Sequence, residues 1–194
     1  MKPHDDTPPE AARAIAEWLR HLPPGPLAEL RRMTEEAPAP VFWRLAARYP
    51  GTIGRQGKQR EWSAIVRILA ILADKGEPAS RSPLHDSSRA LGEVLCDGGD
   101  PNWSRTTGPS PRPVFSERRL AQLMSARGIQ RSVCLERAAR AVAAHRVSGS
   151  GVNVVDIAYA VLRPHDTRRL AEAYYRRLDR AEQDAQQSEK GTEP

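Results

Sequence analysis

The apolar period of residues 59–74 constrains this chain more than any other feature. Trp62, Ile65, Val66, Leu69 and Ala73 recur at the spacing of an α-helix, and Ile68 and Leu72 widen the stripe. Such a segment is the expected centre of the core. Shorter segments repeat the pattern. Ile15, Trp18, Leu19 and Leu22 predict a helix over 10–22, ended by the run Pro23-Pro24-Gly25-Pro26. Leu27, Leu30 and Met33 predict a short helix over 27–34. Pro40 suits the first turn of a helix carrying Val41, Phe42, Leu45, Ala46 and Tyr49. Leu84, Leu91, Val94 and Leu95 predict a helix over 84–96.

Residues 97–113 break all periodicity and read as a long loop containing Trp103. Beyond it Ser116 is a candidate N-cap for a helix to about residue 126. Helices follow over 130–145, then after the capping pair Asn153 and Asp156, and from Asp166 or Thr167 to a polar tail that frays from Glu182. No stretch alternates as a strand. The expectation is an all-α protein of eight to nine helices. It divides into helical subdomains at 10–96 and 114–182, a linker at 97–113 and a tail at 183–194.

Charge is unevenly spread. The chain has 30 Lys and Arg against 24 Asp and Glu, for a net +6, and only positions 2, 58, 75 and 190 are lysine. Arginine suits phosphate because its planar fork donates two parallel hydrogen bonds. By segment the net charge is −1 over 1–26, +3 over 27–77, zero over 78–113, +7 over 114–180 and −3 over 181–194. The basic excess thus lies in helical segments, not in a tail. Helical angles place Arg60, Arg67, Arg118, Arg137 and Arg140 away from the apolar stripes, as ridges suited to an anionic partner. A solvated face with i,i+4 pairs, such as Glu136 with Arg140, competes with that reading for each arginine taken singly.

Other chemistry finds little support. Cys96 and Cys134 form no CxxC pair, and buried thiols in a reducing cytoplasm account for them. The acidic, proline-rich start is unlike a signal peptide, and no apolar run approaches a membrane span. The five histidines lack i+3 or i+4 partners, so no metal site is expected. The stretch from Gly51 to Lys58 resembles a phosphate loop but has Thr52 where its first glycine belongs and Gln59 where Ser or Thr should bind the metal. It reads as a mobile basic loop. No catalytic constellation stands out, and no cofactor is implied.

An ordered set of short motifs carries a resemblance. It comprises Leu30-Arg31-Arg32-Met33, Pro40-Val41-Phe42-Trp43-Arg44-Leu45, the helix from Arg60 to Leu72, Ser88-Arg89-Ala90-Leu91, and the run from Ser116 to Leu123. Leu135-Glu136-Arg137, Val155-Asp156 and Leu170-Ala171-Glu172-Ala173-Tyr174-Tyr175 complete it. Over about residues 10–180 the chain resembles CasB, the small-subunit family of the type I-E CRISPR surveillance complex Cascade. The resemblance implies a non-catalytic, cytoplasmic, all-helical subunit without cofactor or metal. Two copies would lie between the backbone subunits and the large subunit. Their basic faces would hold the target strand near its pairing with the guide RNA and steer the displaced strand, stabilising the R-loop. Position by position it implies phosphate contacts at Arg31, Arg32, Arg60, Arg119, Arg127 (or, in the alternative register, Gly128), Arg137 and Arg168. The competing expectation is a DNA-binding regulator, since residues 120–139 read as helix, glycine turn, helix.

Overall fold

The computed structural model describes residues 7–103, 111–147 and 149–190. Among the described residues the chain is all-α, with no strand. Its helices are α1 (Pro8–His21), α2 (Pro24–Arg32), α3 (Pro40–Arg48), α4 (Gln59–Leu72), α5 (Leu91–Asp97), α6 (Glu117–Ser125), α7 (Gly128–His145), α8 (Val154–Leu162) and α9 (Arg168–Lys190). The apolar breadth of α4 has the expected consequence. Ten of its fourteen residues are buried, and α1, α2, α7 and α8 all pack around it.

Proline sets several boundaries. Pro24, Pro26 and Pro40 lie in first turns, where the missing N–H costs no helical bond. Helix α2 therefore begins three residues before the apolar period does. The 59–74 and 130–145 expectations match α4 and α7 to within two residues. The 84–96 expectation does not: α5 begins only at Leu91. Residues 84–86 instead lie beside Val152, whose N–H donates to the Leu84 carbonyl (2.9 Å) and whose carbonyl accepts from Asp86 N–H (3.1 Å). That long-range pairing takes the backbone groups a helix would have used. The capping pair before α8 also divides. Asn153 Oδ1 accepts from Val155 N–H, but Asp156 accepts from the N–H of Leu91, closing the start of α5 across the fold. At the other end, α9 continues to Lys190, beyond the residue where a frayed tail was expected.

The stretch after α5 is anchored where it is described; residues 104–110 of the expected linker lie outside the described residues. Asp97 is buried and held by three donors. Arg89 spans both its oxygens at 2.9 Å, Arg177 of α9 donates at 2.8 Å, and the Gly99 N–H donates at 2.9 Å. The Arg177 guanidinium also lies 5.7 Å above the ring of Trp103, which is buried. Phe115 N–H donates to Leu95, and Tyr174 Oη donates to Phe115. One buried apolar cluster therefore includes residues on both sides of 97–113.

Helices α5 and α9 meet backbone to backbone at Gly92. A Cβ there would lie 2.2 Å from the Leu170 carbonyl oxygen and 2.7 Å from the Tyr174 nitrogen. Gly25, in the first turn of α2, faces open space. Thermal or urea unfolding of Gly92→Ala is expected to show a loss of about 3 kcal/mol, from forced separation of two packed helices. Gly25→Ala should be neutral or stabilise by up to about 1 kcal/mol.

Candidate nucleic-acid interface

Leu120 and Leu123 fix the inner face of α6, and Leu135, Ala138, Ala139 and Val142 that of α7. Arg119 and Arg137 therefore project outward. A buried arginine that charge patterning did not single out brings the two helices together. Arg131, 2% exposed, donates from Nε to the Ala160 carbonyl of α8 (2.5 Å) and from Nη1 to the Leu123 carbonyl of α6 (2.8 Å). One guanidinium thus ties three helices, and burial pushes its pKa down.

The result is a cleft of about 360 Å³ lined by Phe115, Arg119, Gln122, Cys134, Arg137 and Arg140. No carboxylate lines it. Arg140 is held at its rim by Glu136, at 2.9 Å, as the i,i+4 spacing predicts. The same carboxylate accepts Arg67 of α4 at 2.8 Å, so two guanidiniums share Glu136. The side chains of Arg119 and Arg137 make no hydrogen bond or ion pair with another described residue. Two sequence-predicted contacts, eighteen positions apart, thus converge with both forks free.

The other predicted contacts are dispersed. Arg60 is exposed near the start of α4, beside a 520 Å³ cavity that also holds Lys58, Glu35 and Glu61. Burial is the main cause that raises the Glu35 pKa, with Glu36 and Glu61 adding repulsion, while a Ser132 hydrogen bond and Arg60 oppose it. Arg60 therefore faces acidic company that Arg119 and Arg137 lack. Arg32 is exposed at the end of α2, without a partner among the described residues. Arg31 is not free. Its fork reaches across to the end of α4 and donates to the carbonyls of Ala70 (2.7 Å) and Ala73 (2.9 Å). Arg127 caps α6 through the carbonyls of Met124 and Ala126, both at 2.8 Å. Arg168 pairs with Glu172 at 2.6 Å on an exposed turn of α9.

The charged ridges also need correction. Arg67 is not an outward ridge residue but a half-buried link, donating to the Arg31 carbonyl as well as to Glu136. Within 114–180, Arg131 is buried, Arg177 is bound to Asp97 and Arg146 is paired with Asp74. Part of the +7 is therefore spent inside the fold. His145 is exposed, with a ring nitrogen 2.8 Å from the Ala141 carbonyl oxygen. Among the described residues no three His, Cys, Asp or Glu side chains are grouped to hold a metal ion, and no helix is long and apolar enough to cross a membrane.

The two cysteines separate chemically. Burial pushes the Cys96 thiol up to about 12, with adjacent Asp97 adding to the shift. Cys134 is partly exposed at the cleft. A dianionic aromatic disulfide reagent at about pH 8 is expected to titrate one thiol in the native chain and two after unfolding. A bound oligonucleotide should slow the native reaction, and so should Arg119→Glu with Arg137→Glu. Release of thiolate chromophore measures both effects.

Comparison with known proteins follows the same outline. No curated protein and no solved structure matches the chain. A family model described as CRISPR-associated protein Cse2 matches residues 26–180, which run from α2 into α9 and include both helices of the arginine cleft. With four-fifths of its length inside that match and an all-helical fold, the chain belongs to the Cse2 family, the small subunits of type I-E CRISPR Cascade.

Proposed function

We propose that this chain is a non-catalytic nucleic-acid-binding subunit of Cascade that holds DNA strands by their phosphates and stabilises the R-loop. The observation that carries this is the acid-free cleft in which Arg119 and Arg137 converge from two helices with unoccupied forks. Its volume of about 360 Å³ accommodates a phosphodiester, and the fork geometry suits bidentate contact. Contacts of this kind are indifferent to base sequence. They matter because exchanging a DNA duplex for a guide-RNA heteroduplex is nearly balanced in energy, so a few protein–phosphate bonds tip it.

Arg32 and Arg60 are proposed as additional contacts on the α2–α4 side. Arg31, Arg127 and Arg168 would reach a phosphate only by releasing the protein groups they hold, and rank behind the others. The proposed partners are the backbone and large subunits, the crRNA–target heteroduplex, the displaced strand and a second copy of this chain.

Reconstituted complex carrying Arg119→Glu and Arg137→Glu is expected to assemble normally and to form a less stable R-loop. For the isolated chain, Arg119→Ala with Arg137→Ala should lower the slope of log K against log salt by about 1.4 to 1.8, two phosphates' worth. Unchanged R-loop lifetime and unchanged slope would sink the proposal. A salt-resistant footprint on one defined duplex would point instead to a helix-turn-helix regulator using α6 and α7.

A further inference from the structure

Helix α7 shows two unlike faces. Cys134, Arg137 and Arg140 line the basic cleft. Ile129, Ser132, Val133 and Glu136, at helical spacing, line a groove of about 160 Å³ on another face. Ala64, Arg67 and Ile68 of α4 stand across it, and Thr34, Glu35 and Glu36 from the connection between α2 and α3 add to its lining. The groove and the cleft share no lining residue.

The groove is apolar along its walls and acidic in balance. Ala64 and Ile68 are buried and Val133 half-buried, but Ile129 is 52% exposed, unlike the buried Leu135, Ala138, Ala139 and Val142 further along α7. Three glutamates face one arginine. Glu136 already holds that arginine, Arg67, at 2.8 Å, and Arg140 as well. Neither Glu35 nor Glu36 forms an ion pair with another described residue. The turn that carries them is closed by the Ala37 N–H, which donates to Thr34 Oγ1 at 3.0 Å. Burial, with the like charges of Glu36 and Glu61, raises the Glu35 pKa against the opposing Ser132 hydrogen bond and Arg60. A half-buried carboxylate in that state is stabilised by a cation brought from outside.

We propose that this groove seats a lysine or arginine side chain of a neighbouring protein subunit, its stem along Ile129 and Val133 and its head at Glu35 and Glu36. A long cationic side chain buries its methylenes on an apolar wall while its charge stays among acids. The same carboxylates repel a phosphate strand, which argues for protein over nucleic acid. Exposed Ile129 gains from an aliphatic side chain next to the incoming cation, and a protein segment supplies both. The inference rests on the reading of this chain as a Cascade subunit and not on its holding DNA.

The test uses the complex reconstituted from all its subunits with guide RNA, carrying the photo-crosslinking residue p-benzoylphenylalanine in place of Ile129. Irradiation is expected to join the chain to a peptide of another subunit that bears a lysine or arginine beside an aliphatic residue, identified by mass spectrometry. Ile129→Ser should weaken retention in the complex roughly tenfold, measured by competition with labelled wild-type chain, and so should Glu35→Gln with Glu36→Gln. The isolated variants should lose no affinity for an oligonucleotide, because neither change touches the arginine cleft. Unchanged retention in both variants would overturn the inference. So would a cross-link to nucleic acid, a cross-link to a second copy of this chain, or no cross-link at all. The two proposals fail separately: Arg119→Glu with Arg137→Glu leaves the Ile129 cross-link in place, and the groove variants, once incorporated, leave R-loop lifetime unchanged.

Discussion

The fold depends on arginine forks that close helix ends. An α-helix leaves its last carbonyls without intrahelical partners, and a buried carbonyl left unpaired is costly. Here the guanidinium supplies the missing donors from elsewhere in the chain. Arg81 is 3% exposed and donates to the carbonyls of Leu19 (3.1 Å) and Leu22 (2.6 Å) at the end of α1, and to that of Gly76 (2.6 Å). Arg31 serves the end of α4 and Arg131 those of α6 and α8. A planar group with five donors can satisfy carbonyls of two or three segments at once, which a lysine ammonium does less well. Each such arginine is a helix cap and a tertiary tie together.

Asp97 is the counterpart at the level of ion pairs. A carboxylate this deeply buried persists only with donors on every side, and Arg89, Arg177 and Gly99 provide them. Because Arg177 belongs to α9 and Arg89 precedes α5, the pair holds the helix before the irregular stretch against the last helix of the chain. Gly92 permits the same approach by having no side chain.

These internal uses reshape the meaning of the basic composition. Arginine abundance first reads as a phosphate-binding surface, yet Arg31, Arg67, Arg81, Arg89, Arg131, Arg146 and Arg177 are committed to protein carbonyls and carboxylates. What remains is smaller and more informative. Arg119 and Arg137 stand free in one acid-free cleft, and Arg55 and Arg163 line another. The buried arginines hold the free ones in place: Arg131 sets α6 against α7, and that spacing makes the first cleft.

By itself the sequence determined the helices. Apolar periods located α1, α3, α4, α7 and α8, because burial of one face is written into spacing along the chain. It also determined that Arg137 points outward, since it lies opposite the inward residues of its own helix, whereas Arg119 is singled out only by the family resemblance. Only the tertiary structure decided where α5 begins, because the Leu84–Val152 pairing joins segments far apart in sequence. Only it decided which arginines are free, since a guanidinium on a long stem is claimed by whatever carbonyl or carboxylate the fold brings within reach. Arg31 and Arg32 are neighbours with the same local pattern. One is bound to the end of α4 and the other is open to solvent, because helical rotation turns one fork toward a helix terminus thirty-nine residues away and leaves the other outside.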